Sequence, residues 1–174
     1  MGLQLIICVE TTSDNKSDYI YIKNTIEYFY MLDTSIKLTP VYMGGKYKYN
    51  SSTVSNKINS CQKQFAASSK NNQSHVIICV DCDNYKTNPK DAEFLKEIES
   101  YCNKKGFQLV WFCKDIEEVY LGEQIPNTQK KKKAERFQSR RTIQKIDLKS
   151  LYATDYREGT SNVCSILDHY IDRK

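Results

Sequence analysis

Three short runs of this chain are apolar almost without interruption: Leu3–Val9 (LQLIICV), His75–Val80 (HVIICV) and Phe107–Cys113 (FQLVWFC). None alternates cleanly between apolar and polar residues. Each therefore reads as a strand covered on both faces, the condition of a parallel sheet. A fourth β-rich run, Ile36–Met43, lies between the first two. The connectors carry helical spacing instead. Ile22, Ile26, Phe29 and Tyr30 form one apolar stripe, Val54, Ile58, Cys61 and Phe65 a second, and Phe94, Leu95, Ile98 and Cys102 a third. The third helix is predicted to open at Asn88 as cap with Pro89 in its first turn, and to close at Gly106. Strand alternating with helix predicts a doubly wound, Rossmann-like α/β fold with a mostly parallel, four-stranded sheet flanked by helices.

Beyond Cys113 the alternation fades. Asp115 and Glu118 have the spacing of a capping box and lead into Val119, Tyr120 and Leu121, until Pro126-Asn127 interrupts. Residues 161–172 read as a last helix, with Val163, Ile166, Leu167, Tyr170 and Ile171 on one face. The expected organisation is an α/β core over residues 1–122 and a basic segment with a C-terminal helix over 123–174, packed on the core or extending it. A length of 174 residues suits one domain, and an apolar fraction of 40% can fill a core, which excludes disorder throughout. The apolar runs are far shorter than the ~20 residues of a membrane span. No basic leader or small-residue cleavage site is apparent at the start, and Ile6 stands where a myristoylation site wants Ser or Thr. Seven cysteines cannot all pair internally, and Cys8, Cys79 and Cys113 lie in apolar runs where a free thiol acts as a small hydrophobe. Cys79 and Cys82 form a C-x-x-C, but no second ligand pair completes a zinc site. A reducing, cytoplasmic location is the natural expectation.

Charge is unevenly placed. The chain carries +5 in all, while residues 130–145 alone carry +7, from Lys130, Lys131, Lys132, Lys133, Arg136, Arg140, Arg141 and Lys145 against Glu135. Such a run is commonly a solvated surface, and it is expected to be mobile or ordered by a partner. With Phe137 inside it, it also suits contact with nucleic acid, each neutralised phosphate adding a salt-dependent increment to affinity. The acidic counterpart sits at the strand ends. Glu10 follows the first strand, and Asp81-Cys82-Asp83 follows the third. Ligands of open α/β sheets bind beyond the carboxyl ends of the strands. If those two strands are neighbours, three carboxylates converge there, and a hard divalent cation relieves both their repulsion and their desolvation. Aspartates at strand ends also cap turns, so D-x-D alone says little; the combination with Glu10 says more.

These residues resemble the TOPRIM domain of topoisomerases, primases and OLD-type nucleases, over roughly residues 3–122. The small RloB-like and OLD-like bacterial defence proteins are the most similar group, with their opening strand, glutamate, following acidic residue, tyrosine and helix. Here the string is Cys8-Val-Glu10-Thr-Thr-Ser-Asp14-Asn-Lys-Ser-Asp18-Tyr19. By that resemblance Glu10 matches the family glutamate, Asp81 and Asp83 the D-x-D pair, and Asp18 the second acidic residue, with Asp14 the alternative. Asp115-Ile-Glu117-Glu118-Val-Tyr120 resembles the acidic-aromatic helix start after the fourth strand, and Glu117 is a further acid near the site. Thr11 replaces the family's glycine after the glutamate. The resemblance implies a nuclease dependent on Mg²⁺ or Mn²⁺. Glu10, Asp81 and Asp83 are its metal ligands, and Glu10, Asp18, Asp81 and Asp83 its catalytic acids. Lys130–Lys133, Arg136, Arg140 and Arg141 hold nucleic acid. It further implies antiviral defence alongside an ABC- or SMC-type ATPase, since this chain has no ATP-binding loop of its own, and leaves self-association open. The alternative is a non-catalytic module that keeps the fold and docks on an ATPase or nucleic acid.

Overall fold

The computed structural model describes residues 2–174. Its sheet has five strands: β1 (Leu3–Val9), β2 (Ile36–Tyr42), β3 (Gln73–Asp81), β4 (Gln108–Cys113) and β5 (Thr160–Ser161), in the order β2-β1-β3-β4-β5. The first four are parallel. The fifth runs antiparallel, with Phe112 opposite Ser161 and Cys113 opposite Thr160. The expected α/β class is therefore found, with one strand more than the four predicted. Two residues are too few to carry a period; β5 exists because β4 has a free edge to pair with. Leu3 in β1 stands opposite both Ile36 and Gln73, so β1 and β3 are neighbours and their carboxyl ends lie side by side. Pro40 is tolerated in β2 because that strand is an edge and has one side free of ladder bonds.

Alternate residues of each strand feed two cores. Leu5, Ile7, Val9, Ile77, Cys79, Val110 and Phe112 face α1 (Ser17–Phe29), α4 (Ile116–Leu121), α5 (Asn127–Ser139) and α6 (Val163–Leu167). Ile6, Cys8, Val76, Ile78, Val80 and Trp111 face α2 (Ser52–Ser68) and α3 (Pro89–Lys105). Local signals place the helix ends. The Asn88 side chain accepts from the Lys90 N–H at 3.0 Å, Pro89 opens α3, and Gly106 ends it at φ 67°, in the left-handed region. Asp115 accepts from the Glu118 N–H at 2.8 Å and caps α4.

Two sequence expectations change. The basic stretch is not left loose: most of it forms α5, because Ala134 and Phe137 are buried, the phenyl ring 4.9 Å from Tyr21 and 5.6 Å from Tyr120, centre to centre. The last helix is only Val163–Leu167, not 161–172. There the chain turns back so that the Met31 N–H bonds the Asp172 carbonyl, and Asp168 is shared by Tyr30 (2.7 Å) and Arg173 (2.9 Å). Those contacts outweigh a few more residues of helix. One cysteine pair is joined, Cys82 to Cys113, across the neighbouring ends of β3 and β4. Cys113 is thus not the free thiol its apolar run suggested, and Cys79 stays free and buried. Among the described residues no helix is long and apolar enough to cross a membrane.

Phe137 is the anchor of α5. Phe137→Ala is expected to lower the unfolding free energy by about 3–5 kcal/mol, read from urea denaturation.

Candidate functional site

The carboxyl edge of the sheet gathers acids from four elements. Glu10 lies just past β1 and Asp81 ends β3, and the two are linked directly: the Asp81 N–H donates to Glu10 Oε1 at 2.8 Å. Asp81 in turn accepts, through Oδ1, from the Ile116 N–H at 3.0 Å, where α4 begins. Asp18 is buried in the first turn of α1, with the Ser17 hydroxyl donating to it at 3.2 Å. Glu117 in α4 is fully buried. Asp14, the alternative to Asp18, is exposed on the preceding loop.

Two lysines answer these acids, one on each side of the sheet. Lys130, from the first turn of α5, puts its ammonium 2.8 Å from Glu117 Oε2. That ion pair engages Oε2, and the buried Oε1 has no hydrogen-bond partner among the described residues. Lys46 grips Asp83 on one side and Asp91 Oδ1 on the other, the latter at 2.9 Å. Gly44 and Gly45, at φ 74° and 136°, deliver it: they carry the chain from β2 over the edge, the Gly45 N–H bonding the Glu10 carbonyl at 2.7 Å. Asp83 itself has φ 48°, held by its N–H on the Lys114 carbonyl at 2.8 Å.

Burial dominates the electrostatics. It pushes the Glu10 carboxyl up to about 8; the Asp81 N–H opposes this, and the charges of Asp18 and Asp83 add to it. Burial likewise raises Asp81 well above the carboxylate range, with Glu10 and Asp18 adding and Lys130 opposing. Asp18 and Glu117 are raised by burial too, and Lys130 moderates both. Burial works against the charge of each lysine, but their carboxylate partners outweigh it and raise both.

A cleft of about 330 Å³ opens beside this edge, lined by Asp81, Asp83, Lys114, Asp115, Asn127 and Lys130 among others. Along α5 a second groove of about 460 Å³ is lined by Thr128, Gln129, Lys132, Lys133 and Arg136. Lys131, Lys132, Arg136, Arg140 and Arg141 are exposed; Lys133 is half-buried and pairs with Glu123 at 2.8 Å.

The sequence thus pointed to Glu10, Asp81, Asp83 and Asp18, and the fold brings all four to one edge. It did not point to Lys46 or Asp91. The signal for Lys46 was the Gly-Gly pair ending the second strand segment; Asp91 reads only as a first-turn helix acid. Glu117 is more central than expected, and Lys130 turns its ammonium to Glu117 while lining the cleft.

The donor set suits a hard cation: Glu10, Asp81 and Asp83 offer only oxygen, at the ends of adjacent strands, and the nearby buried Glu117 has one oxygen, Oε1, without a hydrogen-bond partner among the described residues. As the side chains stand, however, no three His, Cys, Asp or Glu groups among the described residues are placed to hold a metal ion. The contacts above give the reason. Glu10 and Asp81 each commit one oxygen to a backbone amide, and Asp83 and Glu117 face ammonium groups. Comparison with protein-family models, curated proteins and solved structures finds no match for this chain.

The raised carboxyls make metal-free stability fall with rising pH. Folding favours protonated Glu10, so its contribution is full below about 4.5 and lost as pH climbs through about 8. Glu10→Gln keeps an amide oxygen for the Asp81 N–H. It is expected to flatten that decline and to be more stable than wild type at pH 8 and above, measured by urea denaturation in EDTA across pH 4–9.

Proposed function

We propose that this protein is a metal-dependent nuclease of the TOPRIM type that hydrolyses phosphodiester bonds in defence against foreign nucleic acid. The observation that carries the reading is the acid set at the carboxyl end of a parallel sheet, half-buried Glu10 and Asp81 with buried Asp18 and Glu117, faced by Lys130 from a basic helix. Glu10, Asp81 and Asp83 are the residues that would hold Mg²⁺ or Mn²⁺. Such an ion activates water and offsets phosphate charge.

The chain's own groups divide the remaining work. Asp81, fixed by the Ile116 N–H, sets the position of Glu10 through its own N–H. Lys130, at the cleft wall, supplies positive charge to the phosphate undergoing attack. Lys131, Lys132, Arg136, Arg140 and Arg141 offer a charged path for the strand away from the cleft, which sets position without reading sequence. By the same resemblance, any nucleotide control comes from a separate ATP-hydrolysing partner of the ABC or SMC type.

One observation favours a second reading, a non-catalytic module that binds nucleic acid or an ATPase through α5: the acids of the edge are already engaged, Glu10 and Asp81 by backbone amides, Asp83 and Glu117 by ammonium groups and Asp18 by the Ser17 hydroxyl. Cleavage assays separate the two. With Mn²⁺ or Mg²⁺ and labelled DNA and RNA, wild type is expected to cut at least one substrate. Asp81→Asn, which keeps an acceptor for the Ile116 N–H, is expected to lose activity by about 100-fold or more, as removal of a key electrostatic group does. Intact substrates throughout, together with Mn²⁺ binding that does not depend on Glu10, would leave only the module. Either way, Lys132→Ala and Arg136→Ala are each expected to weaken nucleic-acid binding. Each should reduce the slope of log affinity against log salt by up to about 0.9, seen by fluorescence anisotropy.

A further inference from the structure

Lys46 is held by two carboxylates of unequal character. Asp91 is the fixed one. Its side chain is 9% exposed, lies in the first turn of α3, and also accepts the Asn84 N–H through Oδ2 at 3.2 Å. Asp83 is the loose one. Its side chain is 41% exposed and lines the cleft beside Asp81 and Lys130. The lysine itself is well packed, 11% exposed, with its ammonium 4.9 Å from the centre of the Phe94 ring and 5.2 Å from that of Tyr47. An ion pair exchanges most readily at its solvated end, because water replaces the lost contact there. The shared ammonium therefore has a permanent anchor at Asp91 and an exchangeable contact at Asp83.

We propose that Lys46 is a positioning residue that competes with the divalent cation for Asp83: its ammonium occupies the Asp83 carboxylate until the cation takes it, and then rests on Asp91 alone. This rests on the metal-dependent reading above and adds to it what holds Asp83 away from a cation. Asp83 is turned to Lys46 instead of to Glu10 and Asp81. The device offsets part of the like charge at this edge without metal, and it sets how much cation is needed to assemble the site. The buried Phe94 ring helps hold the displaced ammonium on its anchor, since a cation over an aromatic face is favourable where water is scarce.

The competitor role has a sign that a merely structural role lacks. Removing a group that only braces the loop weakens cation binding; removing a competitor strengthens it. Mn²⁺ binding to the full chain is measured by isothermal titration calorimetry, with unbound Mn²⁺ followed by electron paramagnetic resonance and folding by far-ultraviolet circular dichroism. Lys46→Met is expected to bind Mn²⁺ roughly tenfold more tightly than wild type, the order expected from removing one cation close by. Lys48→Met, a charge loss on the same turn without contact to Asp83, is expected to change it much less. Asp91→Asn, which hands the ammonium wholly to Asp83, is expected to weaken it. If Lys46→Met does not fold, Lys46→Gln takes its place, with the same direction expected. Unchanged or weaker binding in the Lys46 variant, or equal tightening in Lys48→Met, overturns the proposal while leaving the metal reading in place. No Glu10-dependent Mn²⁺ binding in wild type or in any variant overturns both.

Discussion

Too many negative charges share one edge of this sheet, and the rest of the site is organised around that fact. Parallel pairing of β1 with β3 sets Glu10 beside Asp81, and α1 and α4 add Asp18 and Glu117 from one side of the sheet. Burial raises the proton affinity of all four. Isolated buried charges are costly, and like charges in contact more so. The fold meets the cost with two ammonium groups on opposite sides of the sheet, Lys130 on Glu117 and Lys46 on Asp83 and Asp91. Both lysines keep their protons more firmly than a free side chain would, so the compensation persists across ordinary pH.

That electrostatic demand also explains how a helix as basic as α5 comes to lie against the core. Lys130, Ala134 and Phe137 are spaced to fall on one helical face. Ala134 and Phe137 supply the apolar contact with α1 and α4, and Lys130 at the same face enters the acid cluster. Of the remaining cations, Lys132 and Arg136 lie outward along the groove, and Lys131 is exposed. One short segment thus completes the core, pairs an ammonium with buried Glu117 and offers a charged surface, and the proposed nuclease chemistry draws on all three.

Much of this was legible in the chain before any coordinates. The near-continuous apolar runs became β1, β3 and β4 because a strand covered on both faces has no polar side to show. Asn88, Pro89, Gly106 and Asp115 fixed helix ends through contacts within a few residues, which is why local reading reached them. Glu10, Asp81 and Asp83 stood out because each follows an apolar strand. The misses have a common cause. β5, the shortened α6, the Cys82–Cys113 link and the grip of Lys46 on Asp83 all depend on partners far along the chain, and periodicity carries no information about those.

By itself the sequence determined the α/β class, the strands that lie at its centre and the placing of acids at their carboxyl ends, since these follow from side-chain period and local capping. Only the tertiary structure decided that β1 and β3 are neighbours, that the basic helix turns Lys130 inward, and that Asp83 faces an ammonium rather than its fellow carboxylates. Those outcomes rest on packing and on charge compensation through space, where residues tens of positions apart must find one another before their energies count.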